Sequence, residues 1–209
     1  MKKSVLLLLW IVAAVQTAAG QNTVESIRQR YADVKNYIST HKGDNQYDGA
    51  EWAEYYRLET RQFLPATGGH KEDTWFYYGS KDGSDKIYEP HYLKFVSTSF
   101  NFSAMNYYEE YLYDENGDIA FIYAMDPYAS ADGETGGKCH EFRLYFNKGK
   151  VLKMSVGVRD DESQPFRKVY EGTGMAKQYA GHCKLYIDKS KSLRQLFADI
   201  EKVTYNYSE

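Results

Sequence analysis

No stretch of this chain is apolar enough to cross a membrane as a helix. The longest apolar run, Val5 to Val15, reaches only about half of the roughly 20 residues that a bilayer core demands. Basic charge is not in excess either: 26 Lys and Arg stand against 29 Asp and Glu. Nucleic acid and anionic membrane surfaces select for basic patches, so neither is expected as a partner. Cysteine is scarce, with only Cys139 and Cys183. No Cys-x-x-Cys chelate occurs, so a zinc site lacks its usual spacing. The Gly172-Thr173-Gly174 run is too short for a phosphate loop and lacks a Gly-Lys-Ser/Thr ending. Asp114-Glu115-Asn116-Gly117-Asp118 resembles a calcium loop only at its start: an EF-hand needs Gly sixth and Glu twelfth, where Ile119 and Met125 stand. No cofactor, metal site or catalytic set is therefore expected.

What is present begins at the first residues. Lys2 and Lys3 give a charged start, the Val5–Val15 run follows, and Ala18-Ala19-Gly20 offers the small side chains that a signal peptidase reads. Residues 1–20 are thus expected to be a signal peptide cleaved before Gln21, and 21–209 one α+β domain in a secreted or periplasmic protein. No Cys follows the cleavage point to carry a lipid. Without Lys2 and Lys3 the chain keeps 24 basic against 29 acidic side chains, a net charge of −5. All 21 tyrosines lie after residue 20. Tyr favours strands and carries an apolar ring with a polar tip, so sheet formation explains most of them; an aromatic surface for sugars or peptides is the sharper alternative.

Periodicity then orders the chain. Val24, Ile27, Tyr31, Val34 and Ile38 recur at spacings of three and four, which predicts an amphipathic helix. Asn22 with Glu25 suggests its capping box, and Gly43 its left-handed stop. A closing helix is expected from Ser190 or Ser192, with Leu193, Leu196, Phe197, Ile200 and Val203 on one face. Between them lies an antiparallel meander. Two hairpins are readable, Tyr107–Met125 and Cys139–Val156, each with a three-residue loop ending in a left-handed Gly, Gly117 or Gly149. This pairs Tyr113 with Ile119, Tyr111 with Phe121, Leu144 with Leu152 and Phe142 with Met154, leaving Glu141, Arg143 and Lys153 toward water. The hairpins align at an offset of 32 residues, Glu109 on Glu141 and Gly117 on Gly149. Further strands are expected at Thr74–Tyr78, Tyr92–Phe102, Lys168–Glu171 and Cys183–Ile187. The segment Glu51–Leu64 fits helix or strand, and the turn signals of Pro65 and Gly68-Gly69 favour strand. Long loops are expected at Asp126–Lys138 and Arg159–Pro165, where ligands are often met.

The runs Tyr-Glu-Glu-Tyr-Leu-Tyr-Asp-Glu-Asn-Gly at 108–117 and Glu-Phe-Arg-Leu-Tyr-Phe-Asn-Lys-Gly-Lys at 141–150 resemble small exported bacterial proteins with Tyr-rich, Gly-turn hairpins. They are distantly similar to MORN-variant repeats, over about residues 92–157. The resemblance implies a β-meander and a bacterial envelope setting, and it carries no catalytic residues.

Chemistry in the sequence centres on Cys139-His140 and His182-Cys183. On a strand, neighbours point to opposite faces, so neither pair aims two side chains at one metal. A Cys139–Cys183 disulfide suits an exported chain and would close a loop of about 45 residues, worth about 4 kcal/mol by chain entropy; two free thiols are the alternative. A Cys nucleophile would need His41, His70, His91, His140 or His182 beside it and a carboxylate such as Asp188. Glu109 and Glu110, as strand neighbours, cannot act as paired carboxylates. The sequons at Asn101 and Asn206 matter only in a eukaryotic secretory route. The expected role is ligand or partner binding without catalysis, through a sheet face or a long loop, the partner being a glycan, a peptide or an envelope component. The alternatives are an unrecognised hydrolase and a carrier of an apolar ligand in a curved sheet.

Overall fold

The computed structural model describes residues 22–41, 54–80, 91–127 and 138–205. Helix α1 spans Val24–Thr40. Eight strands follow: β1 (Tyr55–Leu64), β2 (Gly68–Ser80), β3 (His91–Phe102), β4 (Met105–Tyr113), β5 (Ile119–Asp126), β6 (Cys139–Asn147), β7 (Lys150–Arg159) and β8 (Arg167–Thr173). Helix α2, Ala180–Tyr205, closes the fold after one 3₁₀ turn at Lys177–Tyr179. The strands form one antiparallel sheet in the order β1 to β8, each paired with its sequence neighbour. No helix of the described residues is long and apolar enough to cross a membrane.

The two helices cover opposite faces of this sheet. The α1 stripe anticipated by its spacing is the one that packs: Val24, Ile27, Tyr31, Val34 and Ile38 meet Phe95, Leu112, Ala120, Phe121 and Tyr145. Its cap is Thr23 with Ser26 in a reciprocal box, not Asn22 with Glu25. Both sets are one residue apart in register, and the shorter Ser26 side chain reaches the Thr23 N–H at 3.0 Å. Gly43, the expected stop, lies outside the described residues, as do residues 1–21; the helix is capped at His41. The opposite face carries Phe76, Val96, Tyr111, Ile122, Phe142, Leu144, Met154 and Val156 beneath Cys183, Tyr186, Leu193 and Phe197 of α2. Full burial of side chains this size contributes about 1.5–3 kcal/mol each.

Helix α2 begins ten residues before Ser190, so Cys183–Ile187 is helical rather than a strand. Its Cys183, Leu185 and Ile187 mimic alternation, but the buried positions Cys183, Tyr186, Ser190, Leu193 and Phe197 follow helical spacing. Leu185, Leu196 and Val203 turn outward. The ambiguous segment resolves as β1, a strand.

Both hairpins depart from the expected register for one reason: β-bulges. In the first, Tyr113 does pair with Ile119 across Glu115-Asn116-Gly117, with Gly117 left-handed. Ala120 is then an extra residue, so Leu112 meets Phe121 and Tyr111 meets Ile122. The second hairpin turns on two residues, Lys148 and Gly149, both with positive φ (50° and 74°). Such a turn, taken alone, mixes the two faces. The extra residue Leu152 on β7 restores them, and Leu144 pairs with Met154, Phe142 with Val156. Neighbouring positions of β4 and β6 flank β5, as Tyr111 and Leu144 flank Ile122. The 32-residue alignment therefore joins residues on opposite faces: Glu109 lies on the α2 side and Glu141 on the α1 side.

Candidate functional site

A groove of about 430 Å³ opens on the α1 side of the sheet, between the first turns of α1 and strands β5–β8. One wall is α1 itself, through Ile27, Arg28 and Tyr31. The floor comes from inward-alternating positions: Phe121 on β5, Glu141, Arg143 and Tyr145 on β6, and Lys153, Ser155 and Gly157 on β7. Cross-strand register sets these side by side, Tyr145 opposite Lys153, Arg143 opposite Ser155 and Glu141 opposite Gly157. Lys168 and Glu171 complete the far wall, with Phe166 over one end. Three residues apart on a regular strand, Lys168 and Glu171 would face opposite ways. A bulge at Val169, between the pairs Gly157–Lys168 and Val156–Tyr170, turns both into the groove.

Glycine is required at position 157. A Cβ there would stand 2.8 Å from Glu141 Cγ and 3.1 Å from Phe166 Cβ. The close approach brings the Glu141 side chain and the Phe166 ring to the groove end, and Arg159 lies 4.5 Å over that ring.

Four cations and two carboxylates line the groove, a positive balance within an acidic protein. Glu171 bridges Lys153 and Lys168, which hold its carboxyl down to about 2. Arg143 reaches Glu141 at 3.2 Å and stands 5.2 Å over Tyr123. Arg28 donates from Nε to the Tyr145 hydroxyl at 3.4 Å and lies over that ring. Glu141, Arg143 and Lys153, expected toward open water, are thus half-buried groove residues. Missing from the sequence expectation were Arg28, Tyr31, Phe166 and Lys168; the signal for them was weak, because they come from elements far apart in the chain.

The groove wall is anchored by a buried carboxylate. Glu110 lies on the α1 face, where it accepts hydrogen bonds from the Tyr31 hydroxyl, from Tyr108 at 2.5 Å and from Lys35 Nζ at 2.5 Å. Glu109 points the other way, to Tyr111 and Lys189 at 2.8 Å each. As expected of strand neighbours, the two do not share a site.

The Cys and His positions fall apart by the same geometry. Cys139 alternates with Glu141 and Arg143 on the α1 face, whereas Cys183 packs from α2 on the other, and both are free thiols. The sheet lies between them, so the disulfide is not formed. Burial pushes the Cys183 thiol up to about 11 and also raises Cys139, so neither supplies a thiolate at neutral pH. His140 and His182 do meet on the α2 face, both stacked near Phe142. There Asp126 accepts from the Tyr186 hydroxyl at 2.8 Å and lies 3.8 Å from His182 Nδ1. Burial pushes the His140 imidazole below its ordinary value and so favours its neutral form.

The remaining candidates have structural employment. His41 closes α1 against the Tyr37 carbonyl, His70 meets the Asn101 carbonyl and His91 pairs with Glu201 at 3.0 Å. Asp188 is a surface partner of Lys184 and Lys191. Asn101 joins two turns through the Lys71 N–H and the Gly69 carbonyl. Among the described residues no group of three or more His, Cys, Asp or Glu is arranged to hold a metal. The expected long loop Asp126–Lys138 falls largely outside the described residues; Arg159–Pro165 is a tight bend held by Asp161. No family model, curated protein or solved structure matches the chain.

Proposed function

We propose that this is an exported binding protein that holds its ligand in the groove between α1 and strands β5–β8 and does not transform it. The observation that carries this is the groove itself: a cavity of about 430 Å³ with a net positive lining set among aromatic rings. That size lies within the range of about 300–1,000 Å³ typical of small-molecule sites. The α2 face supports the same reading by contrast, since its own side chains fill it and Phe142, Leu144, Met154 and Val156 are fully buried. An apolar carrier would need that space open. A Cys-nucleophile hydrolase built on the Asp126–His182 pair would need a thiolate there, and the neighbouring Cys183 is held protonated by burial. Export is supported by the charged start, apolar run and Ala18-Ala19-Gly20 ending.

The experiment is an unbiased screen of the 21–209 chain on glycan and peptide arrays, repeated with Lys153→Glu and Tyr145→Ala. Binding abolished by the groove substitutions is the expected result. Turnover of any screened substrate, or binding indifferent to both substitutions, refutes the proposal. Mass analysis of the exported protein should find Gln21 first; an intact Met1 would refute export by cleavage.

A further inference from the structure

Taken as the binding site, the groove also specifies a ligand chemistry, and the assignment of that chemistry rests on the binding role. Three of its four cations already face carboxylates: Arg143 meets Glu141, while Lys153 and Lys168 share Glu171. Arg28 differs. Its Nε bonds the Tyr145 hydroxyl, and among the described residues no carboxylate is in hydrogen-bond contact with it, Glu25 and Glu171 acting on it only through charge at longer range. A planar guanidinium matches a planar carboxylate through two parallel hydrogen bonds.

The two carboxylates narrow the choice further. Ionised Glu141 and Glu171 accept hydrogen bonds and cannot donate them. A ligand group that approaches them must donate without carrying negative charge, which a hydroxyl does. Ser155, opposite Glu171 on the floor, adds a hydroxyl of its own. Tyr31 and Phe166, both partly exposed, offer aromatic carbon, which suits the C–H face of a sugar ring. A sugar phosphate shares the hydroxyls and the ring face, but its nearly dianionic group would bring more negative charge beside Glu171 than one carboxylate does. An acidic peptide supplies charge and amide donors but no ring of hydroxyls to meet both glutamates and Ser155.

From these contacts we infer that the groove takes an acidic sugar, a hexuronic acid unit of an oligosaccharide, with its carboxylate on Arg28 and its hydroxyls toward Glu141, Glu171 and Ser155. The cations beside the two glutamates then neutralise them, so that the sugar meets paired carboxylates.

The test is calorimetric titration of the 21–209 protein with galacturonate and glucuronate trimers, the same trimers with carboxyl groups reduced to alcohols, and an acidic tripeptide. At least one acid trimer should bind. Carboxyl reduction should weaken it by roughly ten- to hundredfold, the worth of a charge-assisted hydrogen bond. Arg28→Gln should weaken the acid trimer by a similar factor and the reduced one by less, since an alcohol accepts only a neutral hydrogen bond from the guanidinium. Arg28 is solvent-exposed, and circular dichroism checks that the variant folds. No binding by either acid trimer, equal binding of acid and reduced trimers, or tighter binding of the tripeptide overturns the acidic-sugar assignment. In each of those cases the arrays decide the groove separately, since another ligand lost on Lys153→Glu would still place binding there.

Discussion

Replacing Glu110 should loosen α1 from the sheet and with it one wall of the groove. Glu110 is 2 % exposed and takes three donors: the Tyr31 and Tyr108 hydroxyls and the Lys35 ammonium. Each charge-assisted bond is worth about 1.5–3 kcal/mol. The three share one carboxylate, and Lys35 is 43 % exposed and regains water, so the values do not add. Removing one partner of a buried ionic cluster costs about 3–5 kcal/mol, most of it from stranding the other groups. Glu110→Ala should therefore lose about 3–5 kcal/mol, a large part of the roughly 5–15 kcal/mol that holds a typical domain. Glu110→Gln keeps an acceptor oxygen and should lose less, about 1–2 kcal/mol, as should Tyr31→Phe. Urea unfolding followed by circular dichroism measures all three, at an unchanged denaturant slope. A Glu110→Ala loss below about 1 kcal/mol, within the range of ordinary surface changes, would refute the anchoring role.

Three further outcomes are expected. Lys148 holds φ of 50° ahead of Gly149 at 74°, so Lys148→Asn should raise stability in urea by a few tenths of a kcal/mol, and Gly149→Val should cost about 1 kcal/mol or more; unchanged midpoints for both would reject the two-residue turn. Glu171 is held at about 2 against an ordinary 4.5, so its folded carboxylate is the more acidic one. Its stabilising effect is complete above about 4.5 and disappears as pH falls toward 2. The midpoint gap between wild type and Glu171→Gln should close over that window and stay level above it; a gap constant down to the lowest pH would contradict the Lys153–Glu171–Lys168 bridge. Thiol titration should find two reactive groups under denaturing, non-reducing conditions and Cys183 unreactive in the native protein; no free thiol after denaturation would show a bridge after all.

The helical stripe of α1, the strand character of β1 and the positive φ at Gly117 and Gly149 were legible because each depends on neighbours a few residues away. The pairing beyond the hairpin tips was not. One unpaired residue reverses every later facing relation, and nothing distinguishes Ala120 or Leu152 from its neighbours in composition. Cys183–Ile187 misled because Tyr186 supplies the buried contact that alternation assigns to Leu185. The groove was hidden for a different reason. Glu141, Arg143 and Lys153 look like a wet strand face, and only the first turns of α1 laid beside it convert that face into a cavity wall. The register of Lys168 with Glu171 depends on the Val169 bulge and has no local sequence mark.

Because every strand pairs with its neighbour in sequence, the sheet can grow hairpin by hairpin from its first strands while the chain is still emerging. Its two coverings arrive at opposite times. Helix α1 is the first described element, but α2, 26 residues long, is the last. Until α2 is in place, Phe76, Val96, Tyr111, Phe142 and Met154 form a naked apolar slab several strands wide. A chain without α2 therefore presents a broad hydrophobic surface and is prone to self-associate. Docking of α2 thus decides when the second apolar face of the sheet leaves water.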